Sequence, residues 1–239
     1  MNIIQINNLL IRYSNEKAVI SNMSIDFHEG KMIALIGENG VGKSTLLKCI
    51  AGLIPFQSGS VYIEGKTIDQ ISASDFAKKV AVVLTEPVNN GMLTVSDFIS
   101  YGRYPYISWL GRLQTKDYEL IEKAIERCNL SSLKDKKLVE LSDGQRQKVM
   151  IARAIAQDTS ILILDEPTTH LDYKNTNFIF KMLQDLSREE RKTILFSTHQ
   201  IERALRFADY MVIQKENAIS SYETQEFIAN NVLMDEFKS

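Results

Sequence analysis

The stretch Gly37-Glu38-Asn39-Gly40-Val41-Gly42-Lys43-Ser44-Thr45 decides the fold. Gly37, Gly42, Lys43 and Ser44 hold the fixed positions of G-x-x-x-x-G-K-[ST]. The apolar run Met32 to Ile36 comes just before and reads as a buried strand, and the helix formers Leu46, Leu47 and Lys48 follow. Strand, loop and helix in that order separate a phosphate loop from an ordinary Gly-rich turn. The glycines let the backbone bend tightly and approach an anion with no Cβ in the way. Successive N–H groups then make a concave anion site at the positive end of a helix. Lys43 adds a point charge for the β- and γ-phosphates, and Ser44 offers a hydroxyl to Mg²⁺.

Working outward, a second chemical pair stands downstream. Ile161 to Leu164 reads as a parallel strand buried on both faces, and it ends in Asp165-Glu166-Pro167. Ligands bind at the carboxyl ends of strands in open α/β sheets. Asp165 there can hold Mg²⁺, and Glu166 can orient or deprotonate an attacking water. An acidic turn closed by Pro167 is the plainer alternative, and the upstream phosphate loop favours catalysis. Thr193 to Ser197 is a further core strand ending in Thr198-His199-Gln200. His199 could meet the γ-phosphate or the water, or be structural; spacing leaves both open. Tyr13 precedes the loop strand and could stack on a nucleotide base or fill the core of a small sheet.

Composition narrows the class. The chain of 239 residues is 44% hydrophobic and 24% charged, enough to bury a core. Its net charge of -2 gives no bulk attraction to nucleic acid or anionic membrane. Cys49 and Cys128 are isolated and form neither metal-ligand spacing nor a disulfide framework, which fits a reducing compartment. No apolar run has the length of a membrane span, and Met1 to Tyr13 lacks the features of a signal peptide. A role at a membrane would therefore need docking through another chain.

The rest of the sequence reads as follows. Ile3 to Tyr13 forms one or two short strands punctuated by Asn7 and Asn8, and Ser21 to Phe27 alternates as an antiparallel strand. Lys43 to Gly52 is a helix; Ser58 to Ile63 and Val80 to Leu84 are strands. Thr94 to Asp97 opens a capped helix, and Thr115 to Asn129 carries a helical apolar stripe. Gly102 to Leu113 interleaves Tyr104, Tyr106 and Trp109 with Arg103 and Arg112, which suits a protein interface, single-stranded nucleic acid or local packing. Ser142 and Gln145 form a capping box opening a helix to about Gln157. Asp209 to Ile213 with Ala218 to Tyr222 makes a hairpin, and Thr224 to Phe237 a last helix. The expected division is 1–85 core with an antiparallel β part, 86–156 helical insertion, and 157–239 core continued.

With Leu141-Ser142-Asp143-Gly144-Gln145 between the phosphate loop and Asp165-Glu166, the chain closely resembles the ABC ATPase family. The motifs stand in that family's order: phosphate loop, an LSGGQ-like signature at Leu141 to Gln145, Walker B at Asp165 and Glu166, a D-loop at Leu171-Asp172 and a switch histidine at His199. The resemblance implies an α/β fold, a RecA-like P-loop NTPase core with a small antiparallel β part and an inserted helical subdomain. It implies ATP and Mg²⁺ as ligands and ATP hydrolysis coupled to transport. It also implies head-to-tail homodimers that sandwich ATP between the phosphate loop of one copy and the signature of the other. Tyr13 then stacks on adenine. Glu38, Asn39, Gly40, Val41 and Thr45 line the phosphates. Ser142, Asp143, Gly144 and Gln145 face the partner's ATP, and Asp172 communicates between sites.

Gly102-Arg103-Tyr104-Pro105-Tyr106 and Thr168-Thr169-His170-Leu171-Asp172 look like importers of iron-siderophore, haem or cobalamin. That resemblance implies an integral membrane permease met through the Tyr101 to Trp109 region, indirectly a substrate-binding protein, no nucleic acid, and a peripheral place on the cytoplasmic face of the membrane. Two residues depart from the family pattern. Thr85, with Glu86 next, stands where the family has a metal-sensing Gln; either could still reach metal or water. Asp143 stands where the signature has its first Gly, and its carboxylate would oppose a polyanionic nucleotide unless turned away. Two other functions compete: a soluble ABC ATPase acting on nucleic acid or ribosomes, and a regulatory nucleotide-binding subunit with little turnover.

Overall fold

In the computed structural model the elements follow the order β1 (Asn2–Ile11), β2 (Ile20–His28), β3 (Met32–Ile36), α1 (Lys43–Ile50), β4 (Ser58–Ile63), β5 (Lys66–Thr67), α2 (Ala73–Ala77), β6 (Val80–Val83) and α3 (Val95–Ser100). Then come α4 (Thr115–Arg127), α5 (Asp143–Ala156), β7 (Ile161–Leu164), α6 (Tyr173–Glu190), β8 (Thr193–Ser197), α7 (Ile201–Phe207), β9 (Tyr210–Lys215), β10 (Ala218–Glu223) and α8 (Thr224–Ala229). The structure describes residues 1–13, 18–84, 92–107, 111–169, 171–216, 218–230 and 232. Thr85, Glu86, Trp109, His170 and the stretch 233–237 of the expected last helix lie outside the described residues. The chain forms two compact units, Met1–Ile71 with Leu183–Ser239, and Ser72–Met182.

The first unit holds an antiparallel sheet in the order β2-β1-β4-β5. β1 is one strand, not two. Asn8 takes a left-handed φ of 49° and the register shifts between Ile6 and Leu9. That bulge lets Ile6 and Leu9, three positions apart, both bury completely. The same unit holds β3 paired in parallel with β8 on one side and β9 on the other, with β10 closing a hairpin on β9. All five residues of β3 are buried, as a strand covered on both faces requires. Leu35 pairs with Ser197 and Ile36 with Ile213, so the phosphate loop, Thr198-His199 and Gln214 meet at one edge.

The second unit holds the parallel pair β6 and β7, in register from Val80–Ile161 to Val83–Leu164. Helix α5 packs against α3 and α4. The stripe of α4 buries Ile121, Ala124 and Ile125. Thr94 and Asp97 form the capping box that opens α3. Helices α2, α6 and α7 are additions to the sequence reading. Four of the first five residues of α6, Tyr173, Asn175, Thr176 and Asn177, are weak helix formers, and the helix is held by burial of Ile179, Phe180, Leu183 and Leu186. α8 stops at Ala229, where Asn230 leaves helical geometry. No helix among the described residues is long and apolar enough to cross a membrane.

Candidate functional site

The phosphate loop links β3 to α1. Gly42 sits at φ 105°, and a Cβ there would stand 2.8 Å from Val19 Cγ1, so both conformation and space demand glycine. Lys43 is 6% exposed. Its Nζ donates to the Gly37 carbonyl at 2.9 Å and the Glu38 carbonyl at 2.8 Å, which gathers the ammonium over the loop. Beneath, Gln214 Nε2 donates to the Val41 carbonyl at 3.0 Å. Ser44 is exposed on the first turn of α1.

Tyr13 lies just past β1 and is 43% exposed, so its ring does not fill the sheet core. Its hydroxyl is 3.3 Å from Thr45 Oγ1. Gln57 fixes the adjoining backbone as an extra strand residue would. The Arg12 N–H donates to Gln57 Oε1 at 2.6 Å, and Gln57 Nε2 donates to the Arg12 carbonyl at 2.9 Å. On the neighbouring strand, the Thr198 N–H donates to the Leu35 carbonyl at 3.2 Å, and His199 follows it exposed. One unit therefore brings Tyr13, the loop, Lys43 and His199 together at the carboxyl ends of parallel strands.

The other unit carries the carboxylates. Asp165 is 1% exposed at the end of β7, and its N–H donates to the Val83 carbonyl at 2.8 Å. Glu166 adopts a left-handed φ of 48°, an unusual state for a non-glycine residue and one that clusters at functional sites. Thr169 Oγ1 donates to Glu166 Oε2 at 3.1 Å and so aims the carboxylate. Among the described residues no group of three or more His, Cys, Asp or Glu could hold a metal ion. The Ser44 hydroxyl in the first unit and the Asp165 carboxylate in the second are each a hard oxygen donor of the kind Mg²⁺ accepts.

At the start of α5, the Gln145 N–H donates to Ser142 Oγ at 3.3 Å and the Ser142 N–H to Gln145 Oε1 at 3.0 Å. Asp143 does not present a bare charge. Its carboxylate pairs with the Arg146 guanidinium one turn on, and Arg146 also donates to the Leu141 carbonyl at 2.7 Å. Asp172 caps α6, accepting from the Asn175 N–H at 2.7 Å and from Asn175 Nδ2 at 2.9 Å. The Asn175 backbone N–H above all holds the Asp172 carboxyl below its ordinary range. Lys148 of α5 bonds Asn175 Oδ1, tying the signature helix to the D-loop. Sequence reasoning missed Lys148 and Asn175; the only signal was Asp at Ncap with Asn three residues later.

The aromatic stretch divides. Arg103 is 3% exposed; its Nε donates to Asp117 Oδ1 at 2.8 Å, and its Nη1 to the carbonyls of Ala156 at 2.9 Å and Gln157 at 3.1 Å. It also stacks 3.9 Å over the Tyr106 ring. These contacts cap the carboxyl end of α5. Tyr104, by contrast, is 58% exposed, with its ring 4.7 Å from that of Tyr101. So Arg103 and Tyr106 serve packing, and Tyr104 faces outward.

Residues 20–169 match the family model described as ABC transporter. The chain belongs to the ABC transporter family. The cassette is 38% identical over 219 residues to the iron(3+)-hydroxamate import ATP-binding protein FhuC of Bacillus subtilis, covering 92% of this chain and 81% of that one. Its fold matches a chain from the inward-facing structure of a protein described as a metal-chelate type ABC transporter, with TM-score 0.83 and 26% identity over 98% of this chain and 88% of that one. It also matches the dimeric structure of a bacterial ABC transporter cassette, with TM-score 0.82 and 25% identity over 92% of this chain and 98% of that one. The cassette is thus an ATP-binding subunit, an ATPase that powers transport. The reading as a soluble cassette on nucleic acid or ribosomes, and that of a low-turnover regulatory subunit, are set aside.

Proposed function

We propose that this cassette hydrolyses ATP to drive import of a metal chelate, of the iron-siderophore, haem or cobalamin kind, through a membrane permease. The observation that carries the chemistry is the Lys43 ammonium gathered over the loop at the end of β3, with Tyr13 exposed against Thr45 beside it. The substrate class rests on the similarity to the iron(3+)-hydroxamate import ATP-binding protein of Bacillus subtilis. In this reading Tyr13 stacks on adenine and the N–H groups from Glu38 to Thr45 cradle the phosphates. Lys43 turns its ammonium from the Gly37 and Glu38 carbonyls to the β- and γ-phosphates. Ser44 and Asp165, with Thr85 or Glu86 as further candidates, would hold Mg²⁺, which supplies charge neutralisation on the phosphates. Glu166 orients and deprotonates the attacking water, and His199 contacts the γ-phosphate.

Two copies close head to tail, and Ser142, Gly144 and Gln145 of one reach the ATP held by the other. Asp143 borders that contact with its charge already paired, and Asp172 links the two sites. ATP then biases an open-to-closed equilibrium. The helical subdomain, 86–156 between core segments 1–85 and 157–239, meets the permease at the cytoplasmic face of the membrane through the Tyr101 to Trp109 region. A substrate-binding protein delivers the chelate to the far side.

Two measurements test this. Glu166→Gln should keep ATP binding and lower turnover by about 10²-fold or more; retained turnover would remove Glu166 from the chemistry. Affinity purification of the tagged cassette from detergent-solubilised membranes should bring down a polytopic permease in stoichiometric amount. Recovery of soluble partners alone would refute the transport reading.

A further inference from the structure

We infer that Gln214 is a positioning residue of the phosphate loop, fixing the Val41–Gly42 peptide so that the Gly42 N–H faces the nucleotide. The inference rests on the nucleotide-site reading above. Strand β9 runs Tyr-Met-Val-Ile-Gln-Lys, and Met211, Val212 and Ile213 are almost fully buried. Gln214 continues that buried run at 1% exposure, one residue beyond the Ile36–Ile213 pair. An amide in such a place costs stability unless both its ends are bonded. Only one end is. Nε2 donates to the Val41 carbonyl at 3.0 Å, whereas Oε1 is buried with no hydrogen-bond partner among the described residues.

The bond that is made has a directional consequence. A trans peptide is planar, so the carbonyl of one residue and the N–H of the next point to opposite sides. Pinning the Val41 carbonyl down onto β9 therefore aims the Gly42 N–H up, to the open side of the loop. Gly42 leaves room for this. A Cβ there would stand 3.1 Å from Gln214 Nε2 as well as striking Val19. A leucine at 214 would fill the same space and remove the orphaned Oε1, but it would also take the Nε2 donor from the Val41 carbonyl. A polar residue retained at a cost to stability is what a functional site shows. The role is positioning, since Gln214 reaches the phosphates only through the loop.

The test is a comparison of wild type with Gln214→Leu, using a fluorescent ATP analogue with Mg²⁺ for affinity, steady-state ATPase kinetics, and thermal unfolding. The expected result is a Tm close to wild type, the relief of the orphaned Oε1 offsetting the lost bond to Val41, with Kd and KM raised about ten-fold and kcat lowered less than about three-fold. Gln214→Met, near in shape and equally unable to donate, decides the matter if the Leu variant does not fold. Affinity unchanged in the variant overturns the inference alone. So does lost affinity accompanied by a fall in Tm and in kcat, which would mark Gln214 as packing. No binding by the wild type would overturn the nucleotide site and this inference with it.

Discussion

Arg103→Met removes one buried cation and should destabilise the second unit by about 4 kcal/mol. The estimate comes from what is left behind. Asp117, 6% exposed, loses the guanidinium 2.8 Å away, and stranding one member of a buried pair costs about 3–5 kcal/mol. The carbonyls of Ala156 and Gln157 lose their Arg103 donor as well. Met keeps apolar volume against the Tyr106 ring, so the loss reads as electrostatics rather than cavity. At a urea dependence of about 2 kcal/mol per molar, the transition of this unit should move down by about 2 M, followed by circular dichroism. Adding Asp117→Asn removes the stranded charge and should restore about 2 kcal/mol, a coupling that a double-mutant cycle measures directly. The pH dependence has a defined sign. Burial raises the Asp117 carboxyl, but the Gln114 N–H and then Arg103 outweigh it and hold it below the ordinary range. Its contribution in wild type is thus fully present above about pH 3.9, the unfolded value, and is lost as pH falls through the lower folded value. In Arg103→Met burial, the Gln114 bond and the weaker attraction of Lys116 remain, and protonation relieves the stranded charge, so the penalty shrinks on acidification. A single-variant loss under about 1 kcal/mol, or a double variant equal to the sum of the singles, would refute the reasoning.

Three further outcomes are expected. Arg146→Ala, which takes the guanidinium away from Asp143, should weaken ATP-driven dimerisation of a Glu166→Gln background by about ten-fold, while Asp143→Gly changes it less than about three-fold; size-exclusion chromatography with ATP reads both, and the reverse order would contradict the pairing. Tyr13→Ala should weaken ATP and ADP binding by about five-fold, roughly 1 kcal/mol of stacking, and leave affinity for inorganic triphosphate unchanged; an equal loss for triphosphate would place Tyr13 elsewhere in the site. Burial pushes the Cys49 and Cys128 thiols up to about 12, so neither is a thiolate at pH 8. Iodoacetamide should leave both unmodified in the native protein and alkylate both in urea, as mass spectrometry would show; rapid native labelling would contradict their burial.

Elements defined by short-range pattern were legible in the sequence. Met32 to Ile36, Ile161 to Leu164 and Thr193 to Ser197 appear as strands at the positions their apolar runs indicate, and the capping boxes at Thr94 and Ser142 open α3 and α5. What was not legible depends on distant partners. Asn7-Asn8 leaves β1 open as one or two strands, and only pairing with β2 and β4 makes the pair a bulge within one strand. α6 has poor intrinsic propensity and gains its helix from burial, which sequence does not display. In the site, Lys43 and Glu166 were identifiable by motif. The neutralisation of Asp143 by Arg146 was open to discovery as an i, i+3 charge pair. The seats of Arg103 and Gln214 were not, since the carbonyls they bond on α5 and the phosphate loop lie 53 and 173 residues away.

Gly102 has a consequence for how the segment around it tolerates change. A Cβ at this position would stand 2.3 Å from the Arg153 carbonyl, so backbone meets backbone there and no other residue fits. Together with Arg103 it fastens the inward side of the segment to α5, while Tyr104 stands outward and takes no part in the fastening. Anchor and face are therefore separable modules on neighbouring residues. Mutation can rewrite the outward side chains while the packing behind them keeps its shape.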